Sequence, residues 1–414
     1  MTGRVYAWRS GQVIKRRRLG YLSAAPRVST RVDAEASGPR AHVLGVMRGF
    51  ESLGWSVHPF IVGDRMPSSV IRDSERALTT STTRTLMADI LRLGMSAVYA
   101  RRAWRELGDQ VDWIYERLAA FQSLGWIFQR HGIPWILETN SPFFLESGTE
   151  RKSLVLTGLA RRREIAAYRR CDVLVCVSHA LKDVIVREAG IARDKVLVIP
   201  NGVDTTIFDP HQHRPRRLHK GLTLGFVGYM IAWQGLDILF RAVAHLRDEG
   251  RIIHLTLVGD GPVRGALEDL ARSLDIRNQV HFVGQVAWNE VPGYIAGFDV
   301  AFSGQVPLQL GSMYLSPLKL YEYMSMAKPV VASAFDDARA LIEGKETGFL
   351  FRPGDGEDLN RVLRHVYDNR EALPAMGDRA RQEIIERHSW AARVREMIAH
   401  VDIILGGHGA SQAG

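Results

Sequence analysis

Short apolar runs recur along this chain in two successive series, each run bounded by turn residues and most of them followed by an amphipathic stretch. The first series is RLGYLS (18–23), SVHPFIV (56–62), DWIYER (112–117), PWILET (134–139), DVLVCVS (172–178) and KVLVIP (195–200). The second is LTLGFVG (222–228), HLTLVGDG (254–261), VHFVGQ (280–285), DVAFSG (299–304) and PVVASA (329–334). Runs of this length alternating with helical patterns mark parallel sheets built from strand–helix–strand units. Two α/β units are therefore expected. Between them PNGVDTTIFDPHQHRPRRLHK (200–220) is rich in Pro, His and charge and lacks periodicity, which places a linker at 205–220. From about residue 357 the chain reads as helices.

The 414 residues, 46% hydrophobic and 24% charged, suffice for two domains with sizeable cores. Cys171 and Cys176 share one apolar stretch and read as buried strand thiols of a reducing compartment, not as a disulfide framework or metal ligands. A formal charge of +9 suits an anionic partner: a phosphorylated substrate, a nucleic acid or a membrane surface. Nucleic acid is the weakest of these, for the chain has no zinc-ligand spacing, RNA-binding aromatic signature or recognition helix. The basic N-terminus lacks the apolar run and cleavage pattern of a signal peptide, and no stretch is apolar enough to span a bilayer. The expected location is cytoplasmic. Segments 84–107 and 151–170 place arginines among apolar residues at helical spacing. They read either as surface helices with solvated basic faces or as docking elements for an anionic membrane or acceptor, so membrane contact would be peripheral.

Two stretches suggest chemistry. Gly259, Asp260, Gly261 and Pro262 follow a strand and precede a helix, but Gly265 stands one position too late for a dinucleotide fingerprint. The turn instead indicates a close backbone approach at the carboxyl end of a strand. In YLSPLKLYEYMSMAKPVVAS (314–333), Ser316 is expected as an N-cap and Pro317 as the first helical residue. The helix start then forms an anion site, and Lys319 in its first turn adds a full positive charge. A cation at that end disfavours the bare helix, so it makes sense if a diphosphate neutralises both. Glu322, three residues on, shares the face of Lys319 and offers a carboxylate to two ribose hydroxyls; the alternative is a plain surface Lys–Glu pair.

Together VSHALKDVIVREAGIARDKVLVIPNGVDTTIFDP (177–210), GFVGYMIAWQGLDILFRAV (225–243), LVGDGP (257–262), VHFVGQV (280–286), SPLKLYEYMSMAKPVVAS and GFLFRPGD (348–355) resemble glycosyltransferase family 4. The resemblance runs over most of residues 17–405. It implies the GT-B fold, two facing Rossmann-like domains with parallel sheets and a C-terminal helix crossing back to the first domain. The implied organisation is a basic arm (1–16), an acceptor-side domain (17–204), the linker (205–220), a nucleotide-sugar-binding domain (221–388) and a crossing helix with tail (389–414). Glu322 matches the second glutamate of the family's ribose-holding pair, while Tyr314 stands where the first would be. Tyr229 and Gln234 replace the Arg and Lys that grip the diphosphate. The chain is similar to a subgroup with an SPLKLFEYM-type donor element, in which Lys319 is the natural replacement cation. Gly228, Gly259, Gly261, Gly284 and Tyr314, Leu315, Ser316, Pro317 and Leu318 complete the donor site that the resemblance implies.

In the first half, YLSAAP and ASGPRAHV resemble the first strand and glycine loop, so Gly38 is a candidate for approach to the diphosphate or sugar. His42 follows one turn later, either packed or in contact with the acceptor. ILETNSPFFLE (136–146) resembles the segment that carries acceptor-side groups, and makes Glu138 and Asn140 candidates there; the alternative is an Arg partner for Glu138 and a turn cap for Asn140. The implied chemistry is retaining transfer from a nucleotide-sugar, UDP-linked, to a hydroxyl of a small-molecule or lipid-linked acceptor. Lys319 and the helix start stabilise the leaving diphosphate, without a metal or cofactor. An epimerase or hydrolase of the same fold and a non-catalytic nucleotide-binding subunit are the alternatives.

Overall fold

The computed structural model describes residues 16–34, 37–66, 82–143, 145, 154–307 and 313–411. The arm expected at 1–16 lies outside this set except for Arg16. Twelve strands among the described residues form two six-stranded sheets, parallel throughout. In the first, β1 (Arg18–Ser23), β2 (Ser56–Ile61), β3 (Trp113–Arg117), β4 (Trp135–Thr139), β5 (Val173–Cys176) and β6 (Val196–Val198) lie in the order β2-β1-β3-β4-β5-β6. In the second, β7 (Thr223–Val227), β8 (His254–Val258), β9 (Val280–Gly284), β10 (Val300–Ser303), β11 (Val330–Ser333) and β12 (Gly348–Phe351) lie in the order β12-β11-β10-β7-β8-β9. Eleven of these strands fall inside apolar runs read from the sequence. The twelfth, β12, falls in GFLFRPGD.

Helices cover both sheets. The first half has α1 (Gly38–Ser52), α2 (Thr82–Leu107), α3 (Trp126–Gln129), α4 (Thr157–Arg170) and α5 (His179–Ala189). The second has α6 (Leu236–Asp248), α7 (Arg264–Ser273), α8 (Val291–Ala296), α9 (Leu318–Ser325), α10 (Asp336–Ile342), α11 (Gly356–Asp368) and α12 (Leu373–Glu383), and α13 (Trp390–Ser411) closes the chain. Local chemistry sets several ends. Ser37 caps α1 by accepting from Arg40 N–H, and Ser178 caps α5 by accepting from Leu181 N–H. Gly190, at φ +59°, takes the left-handed conformation that ends α5. Pro59 is tolerated because β2 is an edge strand.

Each sheet carries a buried apolar cluster on either face. The strand order reverses between β1 and β3 in the first sheet and between β7 and β10 in the second. Such switch points leave a crevice outside the carboxyl ends of the strands, where ligands bind in open α/β sheets. The segment expected as a linker is packed on the second domain. Phe208 joins its core, Arg381 pairs with Asp209 at 3.0 Å, and Arg217 pairs with Asp299 at 2.8 Å.

The final helix crosses back as the resemblance implied. Trp390, Val394, Met397 and Val401 of α13 are buried in the cluster formed by β1, α1 and their neighbours. Val203 and Ser389 form a parallel bridge, so the chain leaves the first domain and returns to it side by side. Close packing of α1 on α13 depends on two glycines. A Cβ at Gly45 would lie 2.0 Å from the Trp390 ring nitrogen, and one at Gly49 would lie 2.6 Å from Val394 Cγ2. Gly45→Ala gains about 1 kcal/mol of helix propensity, but overpacking costs about 1–3 kcal/mol, and the Trp390 ring is fixed by His42 edge-on at 5.0 Å. The variant should therefore have a lower Tm than the parent by calorimetry; a raised Tm would show that the ring can move aside.

Candidate active site

Four strand ends and the start of α9 build the second domain's side of the crevice. Tyr323 of α9 accepts from Val227 N–H at 2.7 Å, which pins the helix against the end of β7. Lys319, in the first turn, then sits over the Gly228 turn. Its ammonium donates to Gln234 Oε1 at 2.8 Å, lies 4.1 Å from the Phe226 ring centre, and would be 3.2 Å from a Cβ on Gly228. Gln234, the neutral residue at the position where the resemblance implies a Lys, is thus what holds the Lys319 ammonium. Burial lowers the Lys319 pKa to about 7 against the opposing pull of Glu322, and burial raises Glu322 to about 7 against that of Lys319. Both side chains keep a partly open surface.

The glycines allow loop backbones to cross. Gly228 (φ +143°) and Gly259 (φ +124°) have conformations that side chains avoid, and a Cβ on Gly259 would lie 2.1 Å from the Gly228 carbonyl oxygen. One on Gly261 would lie 2.2 Å from the Met230 carbonyl oxygen. Gly259 N–H donates to the Gly284 carbonyl at 2.8 Å. What these glycines approach closely is one another's loops, and through that contact they shape the floor below Lys319.

The start of α9 differs from the sequence expectation. Pro317 is the N-cap and Leu318 the first helical residue. Ser316 does not cap, because its hydroxyl donates to Asp337 and accepts from Asn201 N–H at 3.0 Å. Tyr314 is not open to a ligand either. Its side chain is buried in the first domain's core cluster, and its carbonyl accepts from Ser178 Oγ at 2.8 Å. Leu315 packs against the same cluster. The 314–317 segment is therefore a strut between domains. Gly38, at the start of α1, meets it from the other side: a Cβ there would make ordinary contact with Leu318 at 3.6 Å.

On the first domain's side, Glu138, the next-to-last residue of β4, is buried and paired with His42 Nε2. Burial pushes its carboxyl up, but His42, Arg117 and Asn140 together outweigh that and hold it below the ordinary range. Its partner is a histidine where the alternative reading named an arginine, and Arg117 acts from a distance. His42 is itself buried, and its Nδ1 lies 2.7 Å from Asn201 Oδ1. Its two nitrogens face protein groups, so it positions Glu138 and does not present itself to the crevice. Glu138 Oε2 and Asn140 Nδ2 make no well-formed hydrogen bond among the described residues. Glu138 interacts with Asn140 and Tyr115 as well as with His42, so these side chains form one polar group at the end of β4.

Several participants went unread in the sequence. Asn201 donates from Nδ2 to the Ser316 carbonyl at 2.6 Å, and Tyr321 donates to Asp337 at 2.8 Å. Burial raises Asp337 to about 6 despite these bonds. Gln305 and Ser333 line a small interdomain cavity with Ser178, Met313 and Phe335, and Gln305 Nε2 and Ser333 Oγ lack partners among the described residues. The Asn-Gly turn at 201–202 was the one available signal, since it follows the last strand of the first domain.

Residues 36–207 match the family model Glycosyltransferase Family 4, and residues 221–369 the model Glycosyl transferases group 1, together more than three quarters of the chain. The chain has the GT-B fold, and each of its halves matches a glycosyltransferase model. It is 29% identical to the MMP alpha-(1->4)-mannosyltransferase of Mycolicibacterium hassiacum over 56% of this chain and 54% of that protein. Thus this GT-B chain spans little more than half of that relative's own length. It is 26% identical to the UDP-Gal:alpha-D-GlcNAc-diphosphoundecaprenol alpha-1,3-galactosyltransferase of Escherichia coli over 64% of this chain and 67% of that one. The HepE protein of Anabaena, solved in complex with UDP, has the same fold, with TM-score 0.61, 17% identity and coverage of 93% of this chain and 99% of that one.

The His42–Glu138 pair gives a test of this arrangement. His42→Ala leaves a buried carboxylate without its main partner, which should cost about 3 kcal/mol in urea unfolding. Adding Glu138→Gln should recover part of the loss, because the stranded charge is gone. A cost for His42→Ala indistinguishable from zero would mean that the pair holds nothing together.

Proposed function

We propose that this chain is a retaining glycosyltransferase that moves a sugar from a UDP-linked donor to a hydroxyl of a small-molecule or lipid-linked acceptor. The observation that carries the reading is Lys319, an ammonium held at a helix start over the Gly228 turn with a pKa brought down to about 7. A half-buried cation without a carboxylate bonded to it is left short of partners unless an anion completes it. Leu318 and Lys319 N–H take no backbone partner among the described residues, so a diphosphate would meet two donors and one charge. The galactosyltransferase relative, named for a UDP-sugar and a lipid-diphosphate acceptor, and the UDP complex of HepE support the donor and acceptor classes. The SPLKLYEYM element supports placing the chain in the subgroup where a lysine replaces the usual Arg/Lys pair.

In this reading the donor lies between α9 and α1. Glu322, as carboxylate, accepts from the ribose. As the bond from the sugar's anomeric carbon to the diphosphate oxygen breaks, Lys319 and the α9 start stabilise the charge that develops on that oxygen. The acceptor hydroxyl attacks from the same face and passes its proton to the departing oxygen, with Glu138 and Asn140 holding the acceptor. No metal is called for, since Lys319 supplies the cation.

The charge state of Lys319 makes the proposal measurable. Its pKa is depressed in the free protein and a bound diphosphate raises it, so binding takes up protons at pH above about 7. Glu322 works in the opposite sense only at and below about 7, where its ionisation releases a proton. Calorimetric titration with UDP at pH 8 in buffers of different ionisation enthalpy should show net uptake that vanishes in Lys319→Met, with affinity weakened about tenfold or more. Sugar transfer should fall further than binding does. Absence of UDP binding by the parent chain would sink the proposal, and binding without transfer or donor cleavage would favour the non-catalytic subunit.

A further inference from the structure

The first domain carries an exposed apolar stripe edged with arginines. On α2 the outward positions at helical spacing are Met87, Ile90, Leu91 and Val98, of which Met87 is 71% exposed and Leu91 65%. Val155 and Leu159, just before and within α4, are exposed beside them. The two helices are joined at this point, because the buried Asp89 carboxylate accepts from Val155 N–H at 2.8 Å and Leu156 N–H at 3.1 Å. Half of the twelve large hydrophobic side chains exposed among the described residues gather here. Scattered single exposures need no explanation, whereas a contiguous set of this kind marks a binding surface.

Charge restricts the partner. Arg84, Arg101, Arg102 and Arg105 are exposed along α2, and Arg162 and Arg163 along α4. The acidic residues of these helices do not offset them: Asp89 and Glu164 are buried, and Glu106 is paired with Arg65. A convex stripe of apolar side chains flanked by arginines, whose stems cover apolar surface while their heads stay wet, matches the boundary between lipid tails and anionic headgroups. Position supports the same partner. α2 ends at Leu107, just before the start of β3, and α4 ends at Arg170, just before the start of β5, so both helices begin at the opposite, carboxyl edge of the sheet. The apolar ends of both helices therefore lie at the rim where Glu138 and Asn140 stand.

We infer that α2 and the start of α4 dock this chain on the surface of an anionic lipid bilayer, which brings the crevice to an acceptor whose reactive group is held at the membrane. The inference rests on the lipid-linked branch of the acceptor class proposed above. No helix among the described residues is long and apolar enough to cross a membrane, so the attachment is interfacial.

Sedimentation of the full chain with vesicles tests it. Binding is expected to vesicles of phosphatidylglycerol mixed with phosphatidylcholine and to be weak with phosphatidylcholine alone. Ile90→Gln/Leu91→Gln and Arg101→Gln/Arg102→Gln should each weaken it about tenfold, with circular dichroism and UDP affinity unchanged. The docking fails if the parent does not bind anionic vesicles. It also fails if the apolar double variant binds as the parent does, or if the parent forms a dimer that this variant dissolves. Since UDP binding is measured on the same preparations, the two readings separate. UDP binding without vesicle binding removes only the docking, and vesicle binding without UDP binding removes only the transferase.

Discussion

A single run of buried polar contacts ties the two domains together and sets the geometry of everything between them. Glu138 holds His42, His42 faces Asn201, Asn201 grips Ser316 by two bonds, and Ser316 donates to Asp337, which also takes the Tyr321 hydroxyl. Each member is buried, so any break strands a polar group out of reach of water, at about 1–3 kcal/mol per group. The run begins near the carboxyl end of β4 and ends on α10, and between them it fixes the residue three positions before Lys319. The end of β4 and the start of α9 are thereby held to one register. Arg393 of α13 closes the arrangement from behind, within 2.7 Å of His388 and reaching the Asn201 carbonyl.

In the proposed reading, Lys319 takes over the charge of a loop that holds neutral residues where the resemblance expects cations. The strand-end loop has Tyr229 and Gln234 in place of two cations; Tyr229 is exposed and Gln234 buried. α9 brings the Lys319 ammonium to this loop, and Gln234 is its hydrogen-bond acceptor. A neutral amide suits this role better than a carboxylate would. It orients the ammonium without neutralising it, and so leaves its charge for an incoming anion.

Much of the fold was legible because strands buried on both faces must be written as apolar runs. β1 coincides with RLGYLS, and the two sheets, the order of their strands' appearance and the crossing helix follow the reading. β12 was less visible because its four residues run directly into a Pro-Gly turn. In the candidate site the sequence reading and the structure meet at Lys319 and Glu322, which share one short helix, and at Glu138 and Asn140, which stand together at the end of β4. The site was not legible at contacts that join distant stretches. Nothing in a sequence says that Asp337 will draw Ser316 away from capping a helix, or that Tyr314 will be taken into the other domain's core. Helix caps are local, and here a tertiary hydrogen bond outweighed the local preference. The histidine at 42 is a similar case, since its partners at 138 and 201 are brought to it only by the sheet.

The parallel bridge between Val203 and Ser389 makes the second domain, topologically, an insertion within the first. Residues between those points can close on themselves as a contiguous stretch of chain. The first domain cannot, because Val43, Phe50 and the groove at Gly45 and Gly49 are covered by Trp390, Val394 and Met397. During synthesis the earlier domain must therefore wait, with that face bare, until α13 has emerged, and the later domain is complete first. The last helix acts as a seal on assembly, so a chain cut short near residue 389 would lose the integrity of the domain made earliest.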